Sequence, residues 1–345
     1  LDLQGKAIQI RVDPEDDRDY DKEGGESGAA AAIVDCGAVV FQWMEFPRRG
    51  FIMVSNEGSG TTIGPGIVVQ NCRTNAYIAG HSVYVGSLHG AAGSEKLIKD
   101  FQYGGGFLID SDGTTLEGPV LQHVIIRKCY ADTGGGLSLA KAHVELKNTS
   151  FVECSAPHGG AMATVAGGTV NWENGSMTNS VSVGAHSGAV YVMHLGSSIM
   201  LSFDGITFED NVQTFNGGYA NDEWRHSGAA VTVYDHSSQS AVVDLSFRHC
   251  SFLRNTAEQY GGAVYLSRNV KSALFEECTF VGNRALLGGD DVYVKEGVDD
   301  GAVRIIDATV QVSDFQKDSN GVGRGGFEME NVRAVAQCES ATLEN

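Results

Sequence analysis

Ser251-Phe252-Leu253-Arg254-Asn255-Thr256-Ala257, leading into Gly261-Gly262-Ala263-Val264-Tyr265, recurs as Thr279-Phe280-Val281-Gly282-Asn283-Arg284-Ala285, leading into Gly288-Gly289-Asp290-Asp291-Val292-Tyr293. Working backwards, Ser150-Phe151-Val152-Glu153-Cys154-Ser155-Ala156 precedes Gly159-Gly160-Ala161-Met162, and Ser176-Met177-Thr178-Asn179-Ser180 precedes Ser187-Gly188-Ala189-Val190-Tyr191. The phenylalanine-type position falls at Ile126, Phe151, Met177, Phe208, Phe252 and Phe280, in steps of 25, 26, 31, 44 and 28 residues. A unit of about 26 residues, made of short alternating segments without a helical period, marks stacked β-coils. The expected fold is all-β: a single-stranded, right-handed parallel β-helix of about ten to twelve coils.

Each coil would stand about 4.8 Å high and could not bury its apolar face alone. Phe208, Phe252 and Phe280 are expected to stack inside as an aromatic ladder, and Asn211, Asn255 and Asn283 to form an amide ladder at the following turn. Cys72, Cys129 and Cys154 fall at that same position in other coils, while Cys250 and Cys278 share a different one. Stacked cysteines read first as a buried ladder; a spacing of about 4.8 Å also lies within disulfide reach. The recurring Gly-Gly pair allows a turn at φ > 0, which a Cβ resists. Glycine numbers 45 in 345 residues, about one in eight against a usual ~7%, and much of it sits at this corner. With 5 prolines and no G-X-Y period, neither collagen nor proline-rich disorder fits.

The chain reads as one domain over 1–345. Residues 1–66 form N-terminal coils with an acidic loop at 13–28, 67–295 the repeat coils, and 296–345 C-terminal coils or a cap. Two insertions, 73–103 and 212–226, leave the same corner between the asparagine position and the glycine turn. They lie four coils apart, or about 19 Å. Long loops on a rigid frame are where binding concentrates, so this corner is a candidate site.

Lys and Arg number 24 and Asp and Glu 43, a net charge of −19. That balance argues against nucleic acid, whose phosphates need a basic face. No apolar run approaches the ~18 residues of a spanning helix, so direct membrane insertion is not expected. The chain opens at Leu1 without Met or a charged-then-apolar leader, and reads as processed or as part of a longer protein.

Phe252-Leu253-Arg254-Asn255 with Gly261-Gly262-Ala263-Val264 resembles the F-x-x-N and G-G-A-[IVL] repeats of chlamydial polymorphic outer membrane proteins. Phe280-Val281-Gly282-Asn283 with Gly288-Gly289-Asp290 nearly matches, and Phe208-Glu209-Asp210-Asn211 matches the first half. The likeness is strong over about 125–295. It implies a secreted or cell-surface β-helix of adhesive type. The family's autotransporter barrel is not carried over, since Ala341-Thr342-Leu343-Glu344-Asn345 ends the chain without barrel-like strands.

His158, His186 and His226 each precede the glycine turn, a ligand-binding ladder if they converge. Tyr260 and Leu287 continue that column, so a polar ladder is the simpler reading. Asp17, Asp19 and Asp21 have the D-x-D-x-D spacing of a Ca²⁺ loop. Lys22 replaces the glycine that such a loop requires, and Gly28 its bidentate glutamate, so no cofactor is expected, with Ca²⁺ the alternative. Asn148-Thr149-Ser150 and Asn174-Gly175-Ser176 are glycosylation sequons.

β-helices include polysaccharide lyases and hydrolases, the latter needing paired carboxylates. With Val264 and Leu266 inward, the outward residues of the glycine-led strand would be Leu108, Ser138, Ala163, Tyr191, Val231 and Tyr265, none charged. A catalytic role is therefore not expected. A strip of small, apolar and tyrosine side chains is instead an adhesive sheet face. The expected function is a non-catalytic structural or adhesive scaffold, docking a protein partner or another copy through Tyr191 and Tyr265. Tyr103 and Trp224 would contribute from the insertions, and lysine at Tyr191 and Tyr265 should weaken docking without unfolding. The alternative is carbohydrate binding, with Trp224 and Tyr103 as stacking platforms.

Overall fold

The structure is a computed structural model describing residues 106–110, 118–183, 188–194, 198–214, 228–235, 242–267, 270–295 and 302–311. It also gives the backbone of strands Ile8–Arg11, Val39–Gln42, Glu45–Phe46, Phe51–Val54, Thr62–Ile63, Ile67–Gln70, Arg73–Thr74, Phe327–Met329, Gln337–Cys338 and Ala341–Glu344. The chain is a right-handed parallel β-helix, and every strand pairing among the described residues is parallel. One column of pairings runs unbroken from Ile8–Arg11 to Ala341–Glu344.

Each coil has the same order. A glycine-led strand such as Val264–Leu266 feeds a second strand such as Val270–Glu276, then a third such as Thr279–Val281, then a two- or three-residue strand such as Arg284–Ala285. In two coils the first three run on as single strands, Leu137–Val152 and Met162–Thr178. Strict alternation sets the faces: in Val243–Arg248 the residues Val243, Leu245 and Phe247 are buried, while Asp244, Ser246 and Arg248 turn outward.

Left-handed residues make the corners. His123, Asn148, Asn174, His249, Glu277 and Asp307 separate second from third strand at φ between 48° and 52°. Lys128, Glu153, Asn179, Asp210 and Arg254 separate third from short strand at φ between 52° and 54°. A non-glycine residue in this region costs about 1 kcal/mol or more, and the stacked hydrogen bonds on either side hold it there. One such residue bends the strand without interrupting the ladder to the next coil.

The core is built from two phenylalanine stacks. Phe203, Phe247 and Phe275 lie with centroids 5.0 and 4.9 Å apart, and Phe208, Phe252 and Phe280 at 5.0 and 4.8 Å, all within 7° of parallel. Across the helix the stacks meet edge to face, as at Phe203 and Phe208, 5.7 Å and 75°. The quadrupoles of the rings favour both the inter-coil offset and the crossed contact.

The glycine-led strand departs from the expected adhesive face. Its outward column is Ser138, Ala163, Tyr191, Thr232, Tyr265 and Tyr293; Thr232 stands where Val231 was expected, because Tyr191 registers with Thr232. Tyr191 is 1% exposed and Tyr265 0%. The turn before each strand folds onto this face: Ser138 Oγ donates to Thr133 O at 2.7 Å, Thr232 Oγ1 to Gly228 O at 2.9 Å, and Tyr260 packs on Tyr293 at 4.4 Å. A parallel strand covered on both faces reads as a continuous apolar run, which Val264–Leu266 and Val292–Val294 do. The second insertion also begins later than expected, since Val212–Thr214 pairs in register with Val181–Val183.

Candidate functional site

With the first strand enclosed, the second strand carries the charged outer face. Two of its columns face solvent side by side: Glu145, Asn171, Ser202 and Ser246, and Lys147, Glu173, Asp204, Arg248 and Glu276. Seven of these residues, with Trp172 beneath, line a cleft of about 200 Å³ that runs from Glu145 and Lys147 to Arg248. It spans three coil steps, or about 14 Å along the helix axis.

Most of its charges are internally matched. Lys147 Nζ lies 2.9 Å from Glu145, Arg248 Nε 2.9 Å from Glu276, and Asp204 2.7 Å from His249 Nδ1. The hydrogen bond and charge of Glu145 raise the Lys147 ammonium, and those of Asp204 raise the His249 imidazole. These groups are exposed, so each pair adds little stability; what they fix is side-chain position. Glu173, Asn171 and Ser202 make no hydrogen bond or ion pair with other described residues, and they sit between the matched pairs. Trp172 contributes floor rather than a ring face: it is 1% exposed, with its indole packed inward against Phe151 at 5.3 Å.

This face is legible only after alignment. Four residues before each phenylalanine-type position stand Lys147, Glu173, Asp204, Arg248 and Glu276 in five successive coils.

Other singled-out residues fall elsewhere. Tyr103, Trp224, His186, His226, Cys72, Asp17, Asp19 and Asp21 lie outside the described residues. His158 stacks on Tyr191 at 5.6 Å, and burial pushes its imidazole down to about 4, leaving it neutral at pH 7. Its Nδ1 is shut off from solvent and has no hydrogen-bond partner among the described residues. Cys129, Cys154, Cys250 and Cys278 are buried and not joined in disulfides, and Cys154 Sγ points to Ile126 O at 3.6 Å, Cys278 Sγ to Phe247 O at 3.4 Å. Asn211, Asn255 and Asn283 bond in sequence along the axis. Asn148 and Asn174 stand exposed at adjacent coils of one corner, and their sequon hydroxyls bond to each other, Ser176 Oγ to Ser150 Oγ at 3.1 Å. No group of three or more His, Cys, Asp or Glu among the described residues is placed to hold a metal ion, and no helix among them could cross a membrane.

The chain matches no family model, no curated protein and no solved structure.

Proposed function

We propose that the chain is a non-catalytic structural or adhesive scaffold of a secreted, cell-surface or larger multi-subunit assembly, which docks a protein partner on the outer face of its second strands. The observation that carries this reading is the column Lys147, Glu173, Asp204, Arg248 and Glu276: charge at every coil step, of both signs, mounted on an in-register frame. Fixed charge patterns give specificity and on-rate in protein docking more than raw affinity. The F-x-x-N and G-G-A repeats, similar to those of chlamydial surface proteins, support the adhesive setting and the extracellular location.

Site-specific photo-crosslinking tests the reading. Benzoylphenylalanine at Ser202 or Ser246, on the second-strand face, is expected to give one discrete protein adduct in extract of the source organism, and at Thr279, on the third strand, none. Adducts independent of position, or no adduct from any face, would overturn it. A glycan array run in parallel identifies the carbohydrate-binding alternative.

A further inference from the structure

Resting on the scaffold reading, we propose that the cleft at Glu145, Asn171, Glu173, Ser202 and Asp204 seats a basic side chain, arginine or lysine, of the docked protein, with its charge on Glu173.

The bonding in the cleft selects this class. Its two cations are committed, Lys147 to Glu145 and Arg248 to Glu276, and Asp204 is held by His249. One carboxylate in the lining, that of Glu173, makes no hydrogen bond or ion pair among the described residues; it lies between Lys147 and Asp204 in the same column, and its charge acts on Lys147 without contact, because Lys147 Nζ bonds to Glu145. Asn171 Oδ1 and Ser202 Oγ, one column away, accept no hydrogen bond from other described residues. A carboxylate with neutral acceptors on one side is the complement of a guanidinium or ammonium, which carries several donors and no acceptor. A sugar ring fits less well, because Trp172 is buried and turns no aromatic face into the cleft. An anion would meet Glu145, Glu173 and Asp204 across at most 14 Å. The three second strands of the site are backed from beneath by buried Leu146, Trp172 and Phe203, in register with one another.

The test uses the whole chain, labelled with ¹⁵N and deuterated, and small probes. Nα-acetyl-arginine amide and Nα-acetyl-lysine amide are expected to shift the side-chain amide signal of Asn171 and the indole N–H signal of Trp172. Nα-acetyl-citrulline amide, equal in shape but neutral, is expected to shift neither. Glu173→Gln should weaken arginine binding at least fivefold, whereas Glu153→Gln, an exposed carboxylate at another corner, should leave it unchanged; this control separates the site from general attraction to a chain of net charge −19. Equal response to citrulline, equal loss in both variants, or response to a neutral oligosaccharide in place of arginine overturns the inference. Silent arginine probes combined with persistent crosslinks from Ser202 overturn it alone and leave the scaffold reading standing. Absence of crosslinks from every face removes the scaffold reading whatever arginine does.

Discussion

The side-chain amide of Asn283 donates to the carboxylate of Asp291 at 2.9 Å, so a hydrogen-bond relay that begins at Asn211 ends on an acid. Asn211 passes Nδ2 to Asn255 Oδ1, and Asn255 passes Nδ2 to Asn283 Oδ1, each at 2.9 Å. Every amide in the relay also donates to the backbone carbonyl of a phenylalanine-type residue one coil before: Met177, Phe208 and Phe252. Asp291 therefore takes the acceptor role that another asparagine would fill. Beside it Asp290 accepts from Ala285 N at 2.8 Å, and both acids are at least 96% buried, where the preceding coil has Gly262 and Ala263.

Burial raises the Asp291 acid from 3.8 to about 7, with the charge of Asp290 adding to the shift and the Asn283 hydrogen bond opposing it. A carboxyl raised in the folded state stabilises by its neutral form. That contribution is complete below about pH 4 and is lost as pH rises through 7. Asp291→Asn keeps the acceptor and removes the charge. The difference in stability between variant and wild type should favour the variant by about 2–4 kcal/mol more at pH 8 than at pH 4. Urea denaturation followed by circular dichroism at both pH values checks this, and parallel profiles for the two proteins would sink it.

Asn255→Ala should be among the most damaging single changes in the coils. It leaves the Asn211 backbone N–H and one of the two Asn211 amide hydrogens without Asn255 Oδ1, and it removes the Asn255 amide from Phe208 O and from Asn283 Oδ1, which keeps only the Asn255 backbone N–H. Buried groups left unbonded cost about 1–3 kcal/mol each, so a loss near 3 kcal/mol is expected after relaxation. Hydrogen exchange should show the loss first at Asn211 and Val212. Unchanged protection there would count against the relay as a structural element.

How the chain announces this architecture differs by residue. Phe252 and Phe280 carry the repeat because their stacking constrains them to one period, and the asparagines follow because their amides reach only the neighbouring coil. The corners are less visible. Lys128, Glu153 and Arg254 occupy left-handed backbone that local preference would assign to glycine or asparagine, and only the ladder on either side explains them. The outer face differs from expectation for a tertiary reason: alternation places Tyr191 and Tyr265 outward from the β-helix, but no local pattern tells that the preceding turn folds over them. Charge at Lys147, Glu173 and Arg248 was readable, and its convergence on one cleft needed the register of four coils.

Tyr265→Lys, expected from sequence to weaken docking alone, should instead unfold the neighbouring coils. Tyr265 is 0% exposed and stacks on Tyr293 at 5.7 Å and 11°. Lysine there loses the ring packing and buries an ammonium, at a cost of about 3–5 kcal/mol. Tyr265→Phe keeps the ring and should cost about 1 kcal/mol or less. A thermal melt of the two variants separates packing from surface roles, and a lysine variant as stable as wild type would restore an exposed face.

The largest core residue sits beside a missing side chain, and that pairing is testable as a unit. A Cβ at Gly175 would lie 2.1 Å from Thr149 O and 2.7 Å from Trp172 Nε1. In adjacent coils the column of Gly175 has Thr149 and Ile206, while the column of Trp172 has the smaller Leu146 and Phe203. Volume is thus exchanged between two columns within one coil: the indole occupies space that a side chain at 175 fills elsewhere. Gly175→Ala should therefore destabilise by about 2–3 kcal/mol, the range for overpacking a tight core. Trp172→Leu opens room at the cost of a cavity, about 3 kcal/mol. Combined, the two should cost about 1 kcal/mol less than their sum, because the leucine relieves the contact at Nε1. Relief stays partial, since Thr149 O belongs to the backbone of the preceding coil and does not move with the indole. A double-mutant cycle from urea midpoints measures the coupling, and strict additivity would mean that Gly175 is required by the backbone contact alone.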